Sequence, residues 1–141
     1  MTPERLADWG RNLCLGCALL GVLGLVGWLA ELTVFVRLLP GGPPMMPNTA
    51  LALLLAGVAG GLRRHDDAKE RRLLGIAAAL AVFLIGAATL IEYVFAIDLR
   101  IDQALIQTGA GPFPGRPSPP TALALMFFSA GIVVFNSRPD S

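Results

Sequence analysis

A seven-residue segment occurs twice in this chain of 141 residues, each time at the start of an apolar run. The copy at 47–53 reads PNTALAL and the copy at 119–125 reads PPTALAL. A longer apolar run precedes each copy and carries a carboxylate near its far end, Glu31 in the first and Glu92 in the second. Internal repeats constrain architecture more than local motifs do. The pattern predicts a unit of long helix, loop and short helix that occurs twice, over about 12–62 and 73–136.

The apolar runs predict a membrane protein. Residues 13–39 and 73–97 each contain enough apolar sequence for a helix that crosses a hydrocarbon core of about 30 Å, whereas 49–62 and 121–135 are short for a full span. Charged residues make up only 15% of the chain and are clustered, as in membrane proteins. We expect one all-α domain over 1–141 with four transmembrane helices, arranged as a tandem repeat of two long–short hairpins whose second and fourth helices are short.

The basic residues predict the topology. Residues 63–72 hold five of the eleven lysine and arginine residues, and basic loops mark the cytoplasmic side. Both termini of this multi-pass protein would then be cytoplasmic, with two Pro/Gly-rich loops outside, and the Arg-rich composition suits a bacterial inner membrane. We expect the first helix to be a retained anchor, because its apolar stretch exceeds the ~15 residues of a signal peptide.

Glu31 and Glu92 are the leading candidates for chemistry. Each lies about 28 Å along its predicted helix at 1.5 Å per residue, near the outer edge of the hydrocarbon. Each would then lie beside the amino end of a short helix, which offers free N–H groups and partial positive charge. The carboxylates would either satisfy these helix ends structurally or line an outward-facing ligand cavity.

The same candidate binding site includes polar residues at the short-helix entries. Asn48, Thr49 and Thr121 are good helix-capping residues. Tyr93, the only tyrosine, follows Glu92 and would extend the polar cluster.

Nothing in the sequence predicts catalysis, a metal site or a cofactor. The chain has no nucleophile–base pair, phosphate-binding loop or metal-ligand cluster. The C-x-x-C pattern at 14–17 lacks the second cysteine pair of a zinc site and predicts small-residue helix packing. His65 is the only histidine and predicts a solvated loop residue. A net charge of +1 gives no basic face for nucleic acid.

Two stretches carry a resemblance to a known family: EYVFAIDLRID at 92–102 and PGRPSPPTAL at 114–123. They resemble the amino-terminal four-helix membrane region of bacterial multidomain sensors, particularly PAS-containing histidine kinases and diguanylate cyclases. The likeness covers nearly the whole chain, although Pro120 stands where the family usually has Asn before Thr. A family member would continue past this carboxyl end into a cytoplasmic signalling domain, so we expect an excised input domain or a free-standing relative.

The resemblance implies a non-catalytic membrane input domain. Such a domain perceives a membrane-embedded or periplasmic small ligand, or a membrane state, and passes the signal inward through its fourth helix. The implied partners are the lipid bilayer, a second copy in a homodimer, and a hydrophobic or small periplasmic ligand. The alternative is a small structural or assembly subunit whose small-residue faces dock onto a larger membrane complex. Of the two halves, we expect the second to be the one specialised for recognition.

Overall fold

The computed structural model describes residues 3–37, 39–61, 69–109 and 113–137, and these ranges contain helices and no strands. The all-α class is therefore confirmed for this part of the chain. There are five α-helices and one 3₁₀ turn, Ile101–Gln103: α1 (Pro3–Leu29), α2 (Thr33–Val36), α3 (Pro47–Gly61), α4 (Lys69–Phe95) and α5 (Pro119–Ser137). The predicted cytoplasmic loop at 63–72, with His65, lies largely outside the described residues.

Two helices, α1 and α4, are long and apolar enough to cross a membrane. Each has 27 residues and is therefore about 40 Å long at 1.5 Å per residue. Their large side chains are mostly exposed, including Leu13 and Leu19 of α1 and Leu73 and Leu84 of α4. A core helix of a soluble protein would bury these side chains, so the exposure favours membrane helices. The helices α3 and α5 are also apolar but shorter.

Glycines set the approach of α1 to α3. A Cβ atom at Gly21 would lie 2.5 Å from Leu54 N and 2.6 Å from Ala50 O, and one at Gly57 would lie 2.5 Å from Ala18 N. These backbones are in direct contact, which is how membrane helices pack without a hydrophobic driving force. Since Gly21 meets the start of α3 while Gly57 meets an earlier part of α1, the two helices are antiparallel.

The helices α4 and α5 pack against each other in the same way. A Cβ atom at Gly86 of α4 would lie 2.7 Å from Ala122 O of α5. Between the pairs, α3 packs against α4. Ala52, Ala56, Val82 and Leu125 form the buried centre of the bundle. Ala52 and Ala56 allow the helices to approach closely at this centre, and many large apolar side chains are on the exposed surface.

The first apolar run is not a single helix, because α1 ends at Leu29. The Leu32 N–H donates to Gly27 O at 2.8 Å, and Glu31 adopts a left-handed conformation with φ of 56°. This is the pattern of a Schellman cap, in which a left-handed residue closes the helix. The chain then forms α2 and folds back, with Met45 N–H donating to Val36 O at 2.8 Å.

Candidate functional site

A buried cluster of charged side chains lies where the chain enters α5. The Arg116 Nε atom is 2.9 Å from Asp102 Oδ2 and 3.4 Å from Glu92 Oε2, and all three side chains are buried. Asn48, in the first turn of α3, joins them by donating from Nδ2 to Asp102 Oδ1 at 3.4 Å. We call Asn48, Glu92, Asp102 and Arg116 the Arg116 cluster.

The members of the Arg116 cluster also satisfy backbone groups of the connection between α4 and α5. Glu92 Oε1 accepts the Leu99 N–H at 2.8 Å, and Asn48 Nδ2 donates to Ile101 O at 3.1 Å. Arg116 Nη2 donates to Ile97 O at 3.4 Å. Buried backbone groups outside helices need such partners. The cluster is therefore what fixes the path of this connection over the ends of α3 and α4.

Gln103 and Gly115 hold the turn that presents Arg116. Gln103 accepts the Thr108 N–H at 3.1 Å through Oε1, and its amide donates to Pro114 O. Gly115 has φ of 79°, and a Cβ atom there would lie 2.5 Å from Asp102 O. Only glycine combines this conformation with this close approach. The position of the Arg116 side chain therefore depends on the glycine immediately before it.

Two aromatic rings lie against the guanidinium of Arg116. Its Cζ atom is 4.4 Å from the centroid of the Phe113 ring and 5.4 Å from that of Tyr93. The rings are 6.3 Å apart and inclined at 54°. Each cation–π contact contributes about 0.5–2 kcal/mol, depending on exposure. Because Tyr93 and Phe113 are themselves partly exposed, they cover the ion cluster from outside.

The charges of the cluster keep Arg116 protonated. Burial by itself would lower the pKa of the Arg116 guanidinium, but the hydrogen bond to Asp102 and the charge of Glu92 outweigh it, so the pKa is raised. The Nε–H points to Asp102, which leaves Glu92 Oε2 in ion-pair range but without a hydrogen bond. One turn earlier on α4, the buried Thr89 hydroxyl also has no hydrogen-bond partner. The α4 side of the cluster is thus less well satisfied than the connection side.

The structure brings together only part of the predicted site. Glu92 and Asn48 are in the Arg116 cluster, and Tyr93 lies beside it. Glu31 is exposed and lies beyond the end of α1, so its position is not equivalent to that of Glu92, which is inside α4. Thr49 is half-buried in the first turn of α3.

Thr121 belongs to the start of α5 but is not its cap. Its N–H donates to Ser118 Oγ at 3.4 Å, and the two hydroxyl oxygens are 2.8 Å apart. Ser118 is therefore the N-cap residue, followed by Pro119 at the first helical position, where proline is favoured. In both short helices the repeated threonine lies inside the first turn. Neither Glu31 nor Glu92 is bonded to a helix amino end in the described hydrogen bonds; Glu92 bonds a loop N–H instead.

Sequence reasoning did not single out Asp102 and Arg116 as site residues. Both are in polar stretches between apolar runs, where a charged residue is ordinarily solvated. The available signal was the pair of stretches at 92–102 and 114–123, which contain both residues. Within the described ranges, no three His, Cys, Asp or Glu side chains are grouped to hold a metal ion. Cys14, of the C-x-x-C pattern, is a free thiol whose Sγ lies against Gly60, where α1 meets α3.

Comparison with known protein families, with curated proteins and with solved structures finds no match to this chain. Its function is therefore inferred from the architecture and from the Arg116 cluster.

Proposed function

We propose that this chain is a non-catalytic input domain of a bacterial inner membrane, which detects a stimulus at its outer side and passes it inward. The observation that carries the proposal is the set of elements joined at the Arg116 cluster. Asn48 contributes α3, Glu92 contributes α4, and Arg116 begins the entry to α5. A change at this one buried site would alter contacts of three helices at once. An input domain requires such a link between the site of the stimulus and the helices that move.

The proposed topology has four membrane helices, α1, α3, α4 and α5, with both termini in the cytoplasm. The antiparallel packing of α1 with α3 supports it, because that packing brings the connection 30–46 to one end of the bundle. The contact between Asn48 and the 3₁₀ turn brings the connection 96–118 to the same end. The start of α4 lies at the opposite end and carries Lys69, Arg71 and Arg72, in agreement with the rule that basic segments are cytoplasmic.

Equivalent glycine contacts support the tandem repeat. Gly21 contacts Ala50 and Leu54, and Gly86 contacts Ala122 and Met126. Ala50 and Ala122 occupy the same position of the two repeated segments, and the residues four places later also correspond. Each half would then be one long–short hairpin held by the same kind of contact.

The outer ends of the two halves differ in a way that supports specialisation of the second. The spacing of 65 residues that relates Gly21 to Gly86 also relates Gly27 to Glu92. At Gly27 the short helix α2 packs directly on α1, with a Cβ atom there lying 2.9 Å from Phe35 Cβ. Apolar packing in the first half is thus replaced by an ion cluster in the second. We infer that recognition belongs to the second half.

Distance measurements between spin labels test whether the cluster controls the inner ends of the helices. Labels at Val58 of α3 and Val134 of α5, both partly exposed, are placed in a cysteine-free background in nanodiscs. We expect Arg116→Gln, and less strongly Arg116→Lys, to shift or broaden the distance distribution. Arg100→Gln, an exposed arginine of the same connection, is the matched control and should leave it unchanged. An unchanged distance distribution in folded Arg116→Gln protein would contradict the input-domain proposal.

The alternative function, a structural subunit, loses support because the small-residue faces are occupied within the chain. Gly21 and Gly57 contact α3 and α1 respectively, so neither is available to dock a larger complex. Native mass spectrometry from lipid or mild detergent separates the two functions. A homodimer, with or without a retained small ligand, is expected of the input domain, whereas a stoichiometric foreign partner would indicate the subunit.

A further inference from the structure

In the described part of the connection 96–118, two large apolar side chains are exposed while two charged side chains are buried. Leu105 is 47% exposed and Phe113 is 54% exposed, whereas Asp102 and Arg116 are buried. Loops in water expose their charged residues and bury the large apolar ones. The inverted arrangement indicates that the outward surface of this connection faces an environment that accepts apolar side chains.

The connection 30–46 also exposes large apolar side chains, and its charged residues Glu31 and Arg37 are exposed as well. Val34, in α2, is 79% exposed and Leu39 is 70% exposed, while Leu32 is also largely exposed. Both connections at this end of the bundle thus present apolar surface, and that surface continues the exposed apolar faces of α1 and α4. Exposed apolar surface of this extent marks an interaction site. In the proposed four-helix topology, the lipid bilayer covers the part formed by α1 and α4, and the same bilayer would cover its continuation over the connections.

Several backbone groups in the described parts of both connections are bonded by side chains of the protein. Trp28 Nε1 donates to Met45 O at 2.7 Å in the first connection. In the second, Glu92, Asn48, Arg116 and Gln103 all bond backbone groups, as described above. Irregular backbone at membrane depth is tolerated only where protein groups or enclosed water satisfy it. The side-chain bonds to the backbone of both connections meet this requirement.

The helix lengths leave room for these connections beside the outer turns of α1 and α4. The 15 residues of α3 extend about 22 Å, against about 40 Å for the 27 residues of α4. Asn48 fixes the 3₁₀ turn directly over the first turn of α3. The connection therefore lies over the amino end of the short helix.

We propose that both outer connections are seated in the interface of the outer leaflet, between headgroups and acyl chains, and that this phospholipid interface is their binding partner. The inclined pair Tyr93 and Phe113 fits this location, since aromatic rings concentrate at membrane interfaces. The exposed charges of the same connection, Asp98 and Arg100, mark the side that reaches headgroups and water. The inference rests on the four-helix topology proposed above and does not depend on signalling.

The accessibility of spin labels in liposomes tests this location. Single cysteines replace Leu105 and Phe113 in turn, in a cysteine-free background, with Arg100→Cys and Gln107→Cys as exposed polar controls of the same connection. Collisions with oxygen, which concentrates in lipid, are compared with collisions with a water-soluble nickel chelate. We expect the oxygen-to-nickel ratio to be several-fold higher at the two apolar positions than at the controls. Leu105, Arg100 and Gln107 are exposed, so their substitutions leave the packing intact. Phe113→Cys also removes the ring contact with Arg116, so the comparison of Leu105 with the two controls decides the test.

Two results would overturn the inference. Equal ratios at all four positions, with free access of nickel, would place the connection in water. Protection of Leu105 and Phe113 from both reagents would show that protein, such as a second copy of the chain, covers them. A label at Leu84, exposed in the middle of α4, separates these failures from failure of the topology. Nickel access at Leu84 would remove the membrane span itself, whereas lipid access there with nickel access at Leu105 would remove only this inference.

Discussion

Replacing Arg116 with glutamine is the sharpest test of whether the buried cluster holds the connection between α4 and α5 in place. The Arg116 side chain is only 2% exposed and lies against two buried carboxyl groups. Removing one partner from a buried ion pair costs about 3–5 kcal/mol, because the remaining charge stays buried without compensation. The loss of ring contacts with Tyr93 and Phe113 acts in the same direction. We therefore expect Arg116→Gln to lower the free energy of unfolding by about 3–5 kcal/mol.

Unfolding in mixed micelles with increasing denaturing detergent, followed by circular dichroism, measures this loss. Arg100→Gln is the matched control, because Arg100 is an exposed arginine of the same connection. Surface changes of this kind stay within about 0.5 kcal/mol. The combination of Arg116→Gln with Glu92→Gln removes both a positive and a negative charge. If the two side chains are coupled, the double variant is less destabilised than the sum of the single variants, by about 0.5–3 kcal/mol.

The reasoning is refuted if Arg116→Gln and Arg100→Gln shift the unfolding transition equally. It also fails if the effects of Arg116→Gln and Glu92→Gln are additive, because the buried charges would then be independent of each other.

Three further changes test the packing and the caps, each by the same unfolding measurement. Gly57→Ala should lower the free energy of unfolding by about 1–3 kcal/mol, because the new methyl group would meet the backbone of α1. Gly10→Ala is the control, since a methyl group there meets no atom within 4 Å and should not destabilise. Equal losses for the two variants would contradict the close helix contact. Thr89→Val should be neutral or stabilising, since the buried Thr89 hydroxyl has no hydrogen-bond partner among the described residues. Ser129→Ala removes a 2.7 Å hydrogen bond and should lower the free energy of unfolding by about 0.5–1.5 kcal/mol. Glu31→Gly should stabilise by up to about 1 kcal/mol, because glycine adopts a φ of 56° without strain, and a loss of stability would show that the carboxylate itself matters.

The starts of the short helices were predictable because their signals are local. Pro47 and Pro119 each occupy the first position of a helix, where proline lacks only a hydrogen bond that the helix would not make. The end of α1 was not predictable in this way. Residues 30–39 are nearly as apolar as the helix before them, and the helix ends where α2 packs against Gly27. That contact is a tertiary one.

The candidate site was predicted only in part, because some of its residues carry a local signal in the sequence and others do not. Glu92 attracts attention in the sequence because a carboxylate within an apolar run is costly unless it has partners. Asp102 and Arg116 attract none, since charged residues are ordinary between such runs. Glu31 was predicted at a position equivalent to that of Glu92, because the run containing it was taken to continue as helix. Its carboxylate lies beyond the helix and is exposed.

The sequence by itself determined the helical class, the two long apolar helices and the proline entries of the short ones. These follow from hydrophobicity and backbone stereochemistry, which act over a few neighbouring residues. Only the tertiary structure decided which charged residues are buried, because burial depends on segments far apart in the chain. Asn48 and Asp102 are 54 positions apart, yet they share a hydrogen bond over the end of α3. Such contacts bring an ion cluster to the connection that follows α4, whereas the connection that follows α1 packs on Gly27 through apolar side chains of α2.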